Sequence, residues 1–464
     1  MKDSLAFKIS IAGICAVLLA VAAFIPDTAG LAFGGRMSIA IFLAAIILWV
    51  TEIMPVVISA WLMVALIPLL GIIPAMDTWG LAMNNVIVFQ ICCFTFSAFF
   101  AQSSLTMRLT AWIMRVAGTN TRLMLLLFMI VTALISTVTD NLPITAVMLS
   151  VSYVLLDANN TPAGRKSGLA KCFAIGIPFA ACIGGVVTPV GCVMNIMALS
   201  MLQEAFGFTI SFLQWISFGL PLAVIALPIT WLTLCAIFKP EQLNQEAVDH
   251  TLSVTSDAGK VPRKDILGLA IIVITLIVWI CGADTATIGL VAVGLLFFPG
   301  IKAVDFERFV AEAPWGVMLL VMAVNVLVGA IVQTGASAWV VDVALAPVAA
   351  ISAFAAMVVL TIIACVLHNF IPAGPACLGL IVVPFCGIIA SVGGNVAACC
   401  FMCAVWSSIS FLLPLDAVPL LSYSDRRAYY SISDMAKVGW VPSVVMSLIM
   451  VTLTPVTANL LGLM

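Results

Sequence analysis

The sequence predicts an all-α polytopic membrane protein, with about 11 transmembrane helices and two re-entrant hairpins arranged as an inverted repeat. Three observations carry that prediction. First, of 464 residues 64% are hydrophobic and only 8% charged, and windows of about 20 apolar residues follow one another along the chain, as in no water-soluble fold. Second, long apolar runs are interrupted at depth by Asp, Asn, Pro and Gly, as in Thr139-Asp140-Asn141-Leu142-Pro143. Third, Lys and Arg are confined to a few connections, which assigns the ends of each run to a side of the membrane.

The formal net charge of −2 gives no footing for a nucleic-acid partner. The fourteen cysteines fall mostly inside apolar spans, among them Cys92, Cys93, Cys182, Cys399 and Cys400. They lack metal-ligand spacing and read as small packing residues rather than disulfides.

Residues 1–35 hold the first span, Ile9–Ile25, preceded by Lys2 and Lys8, which sets the N-terminus on the cytoplasmic side. No clear small-residue cleavage site follows, so the segment reads as a span and not as a signal peptide. Residues 36–238 form the first repeat. Two spans, Met37–Met54 and one ending near Ile73, lead to an external loop, Pro74–Asn84, that lacks Lys and Arg. A span from Val86 to Gln102 returns inward, and the amphipathic stretch Leu105–Val116, carrying Arg108 and Arg115, lies at the inner surface.

The run 123–156 has basic residues at both ends, Arg115 and Arg122 before it and Arg165 and Lys166 after it. Both ends therefore lie inside, and the run enters, turns near Asp140 and comes back. An ionised side chain at that depth costs ~3 kcal/mol or more and usually marks an ion or substrate path. The run 172–201 contains Gly184-Gly185-Val186-Val187-Thr188-Pro189-Val190-Gly191 at its middle. Three glycines and a proline in that stretch do not hold a regular helix, so this span is discontinuous. Its half-helix ends offer free N–H and C=O groups to anions and cations. The span Phe212–Phe238 closes the first repeat.

Residues 239–264 are polar and read as a solvated cytoplasmic linker; His250 within it is a weak functional candidate. Residues 265–464 repeat the plan. Ile266–Cys281 and Ala286–Pro299 are spans, and Pro314-Trp315 opens another that ends near Gln333. The run 351–391 is a second hairpin, interrupted at His368-Asn369-Phe370-Ile371-Pro372-Ala373-Gly374-Pro375. No Lys or Arg occurs between Phe309 and Asp425, so this hairpin opens outside. The run 397–423 breaks at Ser410–Pro419, and the final span is Val438–Leu461. The order of breaks repeats between the halves: Gln102 corresponds to Gln333, Asn141 to Asn369 and Thr188 to Ala417. Such repeats place a site near the midplane, between their broken elements.

Several stretches resemble one family. Trp49-Val50-Thr51-Glu52 with Met54-Pro55, then Leu66-Ile67-Pro68-Leu69-Leu70-Gly71-Ile72, resembles the "W-x-TE-x-(I/M)P … PLLGI" pattern of the divalent anion:sodium symporters (DASS), within the ion transporter superfamily. Gly184-Gly185, Thr188-Pro189, Gly191 and Asn195 resemble that family's "GG-x-x-T-x-x-G-x-x-x-N". Pro314-Trp315-Gly316 and Phe411-Leu412-Leu413-Pro414 resemble its second-half landmarks. The resemblance covers nearly the whole chain. It implies a homodimeric elevator transporter with scaffold and transport domains, which moves di- or tricarboxylates or sulfate, in most members with sodium.

The resemblance also implies site residues. The family's tips usually carry Ser-Asn-Thr. Here Asp140-Asn141-Leu142 stands at the first tip, with Ser136 one turn earlier, and Gly374-Pro375-Ala376 or His368-Asn369-Phe370 at the second. The first sodium site is then expected from Ser136, Asp140, Asn141, Gly184 and Gly185. A second would have only backbone groups, near Phe370, Ala373 and Pro414. Substrate contacts are expected from Asn141, Leu142, Thr188, Pro189, Asn195, His368, Asn369, Gly374 and Pro375. Asp416-Ala417-Val418-Pro419 stands where a "GTPPN" run is usual.

Physically, Asp140 either holds a cation as a carboxylate or carries a proton, and the residues leave both open. The loss of hydroxyls at both tips removes donors for carboxylates. A sodium-coupled carrier of small organic anions in the cell (inner) membrane is the expected function. The alternatives are a proton-coupled symporter, or an exchanger, of a less highly charged carboxylate or sulfonate. A passive channel and an intramembrane enzyme using Asp140 with Asp416 are remote alternatives, since no Gly-x-Gly-Asp or Ser/His motif surrounds either acid.

Overall fold

The computed structural model describes residues 5–463 except 27–30, 52, 256–259, 337–338, 340–350, 371–373 and 415. Among the described residues the regular structure is helical. In the first half the helices are α1 (Leu5–Phe24), α2 (Phe33–Thr51), α3 (Val56–Leu69), α4 (Ala75–Ala82), α5 (Asn85–Gln102), α6 (Leu105–Ala117), α7 (Thr121–Ser136), α8 (Asn141–Ala158), α9 (Gly168–Gly185), α10 (Val193–Phe206) and α11 (Phe212–Phe238). A short 3-10 turn, Pro189–Gly191, lies between α9 and α10. The linker holds α12 (Gln245–Thr255). The second half contributes α13 (Arg263–Ile280), α14 (Thr285–Phe297), α15 (Phe306–Glu312), α16 (Trp315–Gln333), α17 (Ala353–Phe370), α18 (Gly374–Ser391), α19 (Val396–Ser408), α20 (Ala417–Tyr423) and α21 (Ile432–Leu460).

Seven helical stretches are long and apolar enough to cross a bilayer, and eight apolar helices are shorter, at 10–17 residues. The shorter group includes α7, α10 and α19, the halves of interrupted runs. The outer faces of the long helices are apolar, with Leu220, Val224 and Leu232 of α11 and Ile266, Ile274 and Ile277 of α13 exposed. Exposed apolar surface of that extent suits lipid and not water.

Two expectations change. Pro74–Asn84 is not a plain loop, because α4 fills most of it, starting after Pro74, whose fixed φ suits a helix N-terminus. The linker is not simply solvated either. Ala247, Val248, Thr251 and Thr255 recur at helical spacing and are buried, so α12 lies with that stripe against α8 and α6. His250 is exposed on its other side.

The linker is anchored just before α12. Glu241 accepts hydrogen bonds from the Ser167 hydroxyl (3.1 Å), the Gly168 N–H (3.0 Å) and the Leu169 N–H (2.5 Å). These are the unsatisfied groups at the start of α9, where a negative charge is favoured. Burial pushes the Glu241 carboxyl up, but these hydrogen bonds outweigh it and hold the pKa below the usual carboxylate value.

The centre of the molecule is α9. Nine-tenths of its span (89%) is buried, against 11% for α1 at the periphery. It packs against α7, α8, α11 and α20. Small residues permit this closeness, since a Cβ at Gly184 would lie 2.5 Å from the Ala133 Cα of α7. Second in enclosure is α19, whose residues from Val396 to Ser408 are all buried and which packs on α10, α17 and α18. All fourteen cysteines are free thiols, and those of α9 and α19 serve as small packing groups.

Candidate functional site

At the first tip, α7 ends at Ser136 and α8 begins at Asn141, with Asp140 between as N-cap. Asp140 accepts from the Leu142 N–H (3.1 Å), and its own N–H donates to Ser97 Oγ of α5 (2.9 Å). The sequence patterns did not single out Ser97. Asn141 is 3% exposed. With the amide assigned so that its nitrogen meets these acceptors, Asn141 donates to Ser136 Oγ (2.6 Å), the Ala181 carbonyl (3.0 Å) and the Gly191 carbonyl (3.2 Å). Ser136 Oγ also donates to the Ala181 carbonyl at 2.9 Å. Three hard oxygens from three separate segments thus converge on one amide. The same amide turned over would present its own oxygen as a fourth, a set suited to a small hard cation.

Glycines make this convergence possible. A Cβ on Gly185 would fall 2.7 Å from Asn141 Cγ, and one on Gly191 would fall 2.6 Å from the Ser136 carbonyl. Gly184 meets α7 instead and does not point at the cluster.

The break itself is held by side chains that the sequence marked as substrate contacts. Thr188 Oγ1 donates to the Thr137 carbonyl at the tip and accepts from the Val190 N–H at 3.2 Å. Asn195 donates to the Gly185 and Thr188 carbonyls, both at 2.8 Å. The donors of Thr188 and Asn195 are therefore used within the protein, and Asn195 Oδ1 remains as a buried acceptor without a partner among the described residues. Pro189 opens the 3-10 turn and lines a cleft of about 310 Å³ with Val86 and Phe89 of α5. Leu142 is 39% exposed and supplies no polar group.

At the second tip, α17 carries His368 and Asn369, both buried. Asn369 Oδ1 lies 3.2 Å from Ser410 Oγ at the second break, and its nitrogen donates to the Cys365 carbonyl at 2.6 Å. The repeat alignment pairs Asn141 with Asn369, but the two differ in topology. Asn141 is the first residue of the outgoing arm, whereas Asn369 lies in the last turn of the incoming arm, where Ser136 stands in the first hairpin. The residue that opens the outgoing arm is Gly374, and a Cβ there would lie 2.6 Å from the Ser407 carbonyl and 3.2 Å from Met194 Sδ of α10. Pro375 follows it, half-buried. Of the groups expected at a second cation site, Pro414 is buried in the break, Phe370 closes α17, and Ala373 lies outside the described residues.

The two broken runs meet. Phe179 and Phe411 rings are 4.5 Å apart. Asp140 and Asp416, the latter at the N-cap of α20, are close enough for their charges to interact. Each break is also roofed by a glycine of the following long span. A Cβ at Gly219 of α11 would lie 2.6 Å from Val187 Cα, and one at Gly439 of α21 would lie 2.6 Å from the Phe411 carbonyl carbon.

A family model described as a citrate transporter matches residues 46–405. This chain belongs to the citrate transporter family. The chain is 30% identical over 221 residues to the sodium-dependent high-affinity dicarboxylate transporter 3 of Caenorhabditis elegans, covering 44% of this chain and 39% of that one. It is 24% identical over 317 residues to the sodium-dependent dicarboxylate transporter SdcS of Staphylococcus aureus (strain USA300), covering 63% and 61%. The match thus spans less than two thirds of either relative's length. These names agree with the resemblance to the divalent anion:sodium symporters. In fold, the chain is similar to the Alcanivorax borkumensis YdaH transporter (TM-score 0.55, 13% identity, 98% of each chain) and to Neisseria gonorrhoeae MtrF (TM-score 0.56, 12% identity, 97% and 94%). The family model and both relatives are thus described as transporters.

Proposed function

We propose that this citrate transporter family member carries di- or tricarboxylate-like anions across the cell (inner) membrane, coupled to sodium, by alternating access of the elevator kind. In this reading it is a homodimer with a cytoplasmic N-terminus. The halves 36–238 and 265–464 are inverted repeats. Helices α7–α11 and α17–α21 form the transport domain, and α2–α6 with α13–α16 form the scaffold.

One observation carries the proposal. The Asn141 amide, Ser136 Oγ and the Ala181 and Gly191 carbonyls converge where a hairpin tip meets a broken span. A cation coordinated there adds positive charge beside the half-helix N-termini, and both attract an anion, which makes binding of the two mutually favourable. The sodium-dependent dicarboxylate transporters among its relatives support the choice of ion and cargo. Proton coupling or exchange is the second reading, favoured by two acids, Asp140 and Asp416, near enough for their charges to interact.

The test is uptake of radiolabelled succinate, citrate and sulfate into proteoliposomes under imposed sodium or proton gradients. Sodium-driven accumulation of a carboxylate supports the proposal. Accumulation driven only by a proton gradient, or only by an internal counter-anion, replaces it with the second reading.

A further inference from the structure

Two buried amides on the stationary side have nothing to bond among the described residues. Gln90 in α5 is 0% exposed and Asn325 in α16 is 2% exposed. In both, nitrogen and oxygen alike lack a hydrogen-bond partner among the described residues. Burying a free amide is unfavourable, and such groups in a packed interior call for an explanation.

Their placement supplies one. On α5, Val86, Gln90, Cys93 and Ser97 recur at spacings of three and four and share a face. Val86 lines the cleft with Pro189 at the first break. Ser97 accepts the Asp140 N–H at 2.9 Å. Gln90 sits between them, so its face looks on the break and the tip together. On α16, Val324 approaches Gly379 of α18, and Gly329 meets Leu81 of α4. Asn325 lies on the arc between those directions, on a helix packed against α10. Each amide comes from the span that precedes the hairpin of its own half.

The site is short of donors. Thr188 and Asn195 spend theirs on carbonyls of the tip and break. We propose that Gln90 and Asn325 bind the transported carboxylate from the scaffold, each donating an amide N–H to it as the tip passes; this rests on the transport reading above. Neutral amides suit the task, because they orient a carboxylate without trapping it and without repelling the cation beside it.

The test uses Gln90→Met and Asn325→Leu, with Gln90→Asn as a variant that keeps the donor. Succinate and citrate are the probes, read by uptake KM in proteoliposomes and by the anion-induced rise in melting temperature of the purified protein in detergent. Each apolar variant is expected to raise KM by about tenfold and to shrink the anion-induced rise. The sodium half-saturation at saturating anion stays put, Gln90→Asn keeps part of the affinity, and the anion-free melting temperature does not fall. The proposal is overturned if KM stays within about twofold of the wild type in both apolar variants. It is also overturned if the anion-free protein melts earlier in step with lost uptake, which marks a packing role. If neither probe enters with, or stabilises, the wild type, the transport reading itself falls and this contact with it.

Discussion

Asp140 and Asp416 lie near enough for their charges to interact where the two broken runs meet, Asp140 at the N-cap of the long helix α8 and Asp416 at that of the short helix α20. The first caps α8 beside the oxygen cluster and the second caps α20. An N-cap carboxylate is favoured by the helix dipole, yet two of them at close range repel. A cation bound near Asp140 relieves that repulsion. Asp140→Asn keeps the capping acceptor and removes the charge. Sodium-dependent uptake by this variant should show a half-saturation for sodium raised by about tenfold or more, with the folded protein retained. Unchanged sodium dependence, accompanied by loss of the response to a proton gradient, would assign Asp140 to proton coupling.

Close approach at the tip depends on hydrogen atoms where other residues carry methyl groups. Gly185→Ala pushes on the Asn141 amide, and Gly191→Ala pushes on backbone carbonyls that have no room to yield. We expect Gly191→Ala to cost about 1–3 kcal/mol of stability and to abolish uptake. Gly185→Ala should lose uptake with a smaller change in melting, since a side chain and not the backbone must move. Thermal melting in detergent beside uptake in proteoliposomes separates the two outcomes.

The roofing glycines test the internal repeat. Gly219→Ala and Gly439→Ala each place a Cβ 2.6 Å from backbone atoms of a break. Each should destabilise by a similar amount, about 1–3 kcal/mol, because the geometry is shared. A neutral result at one position and a severe result at the other would count against equivalence of the two halves.

In the linker, Glu241 is held ionised by the Ser167 hydroxyl and by the Gly168 and Leu169 N–H groups, against the opposing effect of burial. Its folded pKa lies below the unfolded value, so its stabilisation is complete above the unfolded carboxylate range, about 4.3, and is lost as pH falls through the lower folded value. Glu241→Gln should therefore melt earlier than the wild type at pH 7. The difference should narrow as the medium is acidified below the usual carboxylate range. A gap that is constant with pH would mean that the contact acts through shape and not charge.

Much of this arrangement was legible in the residues because bilayer physics is written locally. Apolar runs, their lengths and the confinement of Lys and Arg predicted the helical polytopic class, the hairpin near Asp140 and the break at Gly184–Gly191. In the second half the same logic placed the interruptions at His368–Pro375 and Ser410–Pro419. Less was visible where partners come from elsewhere in the chain. Pro74–Asn84 and the linker looked like loops because α4 is short and α12 gains its stability only from packing its stripe on α6 and α8.

The sequence by itself determined the kind of protein and where along the chain its polar interruptions fall, since hydropathy and backbone breakers act within a few residues. Only the tertiary structure decided which of those polar groups are free. It committed Thr188 and Asn195 to bracing the break, set Asn141 over the Ser136, Ala181 and Gly191 oxygens, and put Asn369 on the opposite arm of its hairpin from Asn141. It also exposed Gln90 and Asn325 as unspent amides. Hydrogen-bond satisfaction depends on atoms distant in the chain and close in space, and no local pattern encodes it.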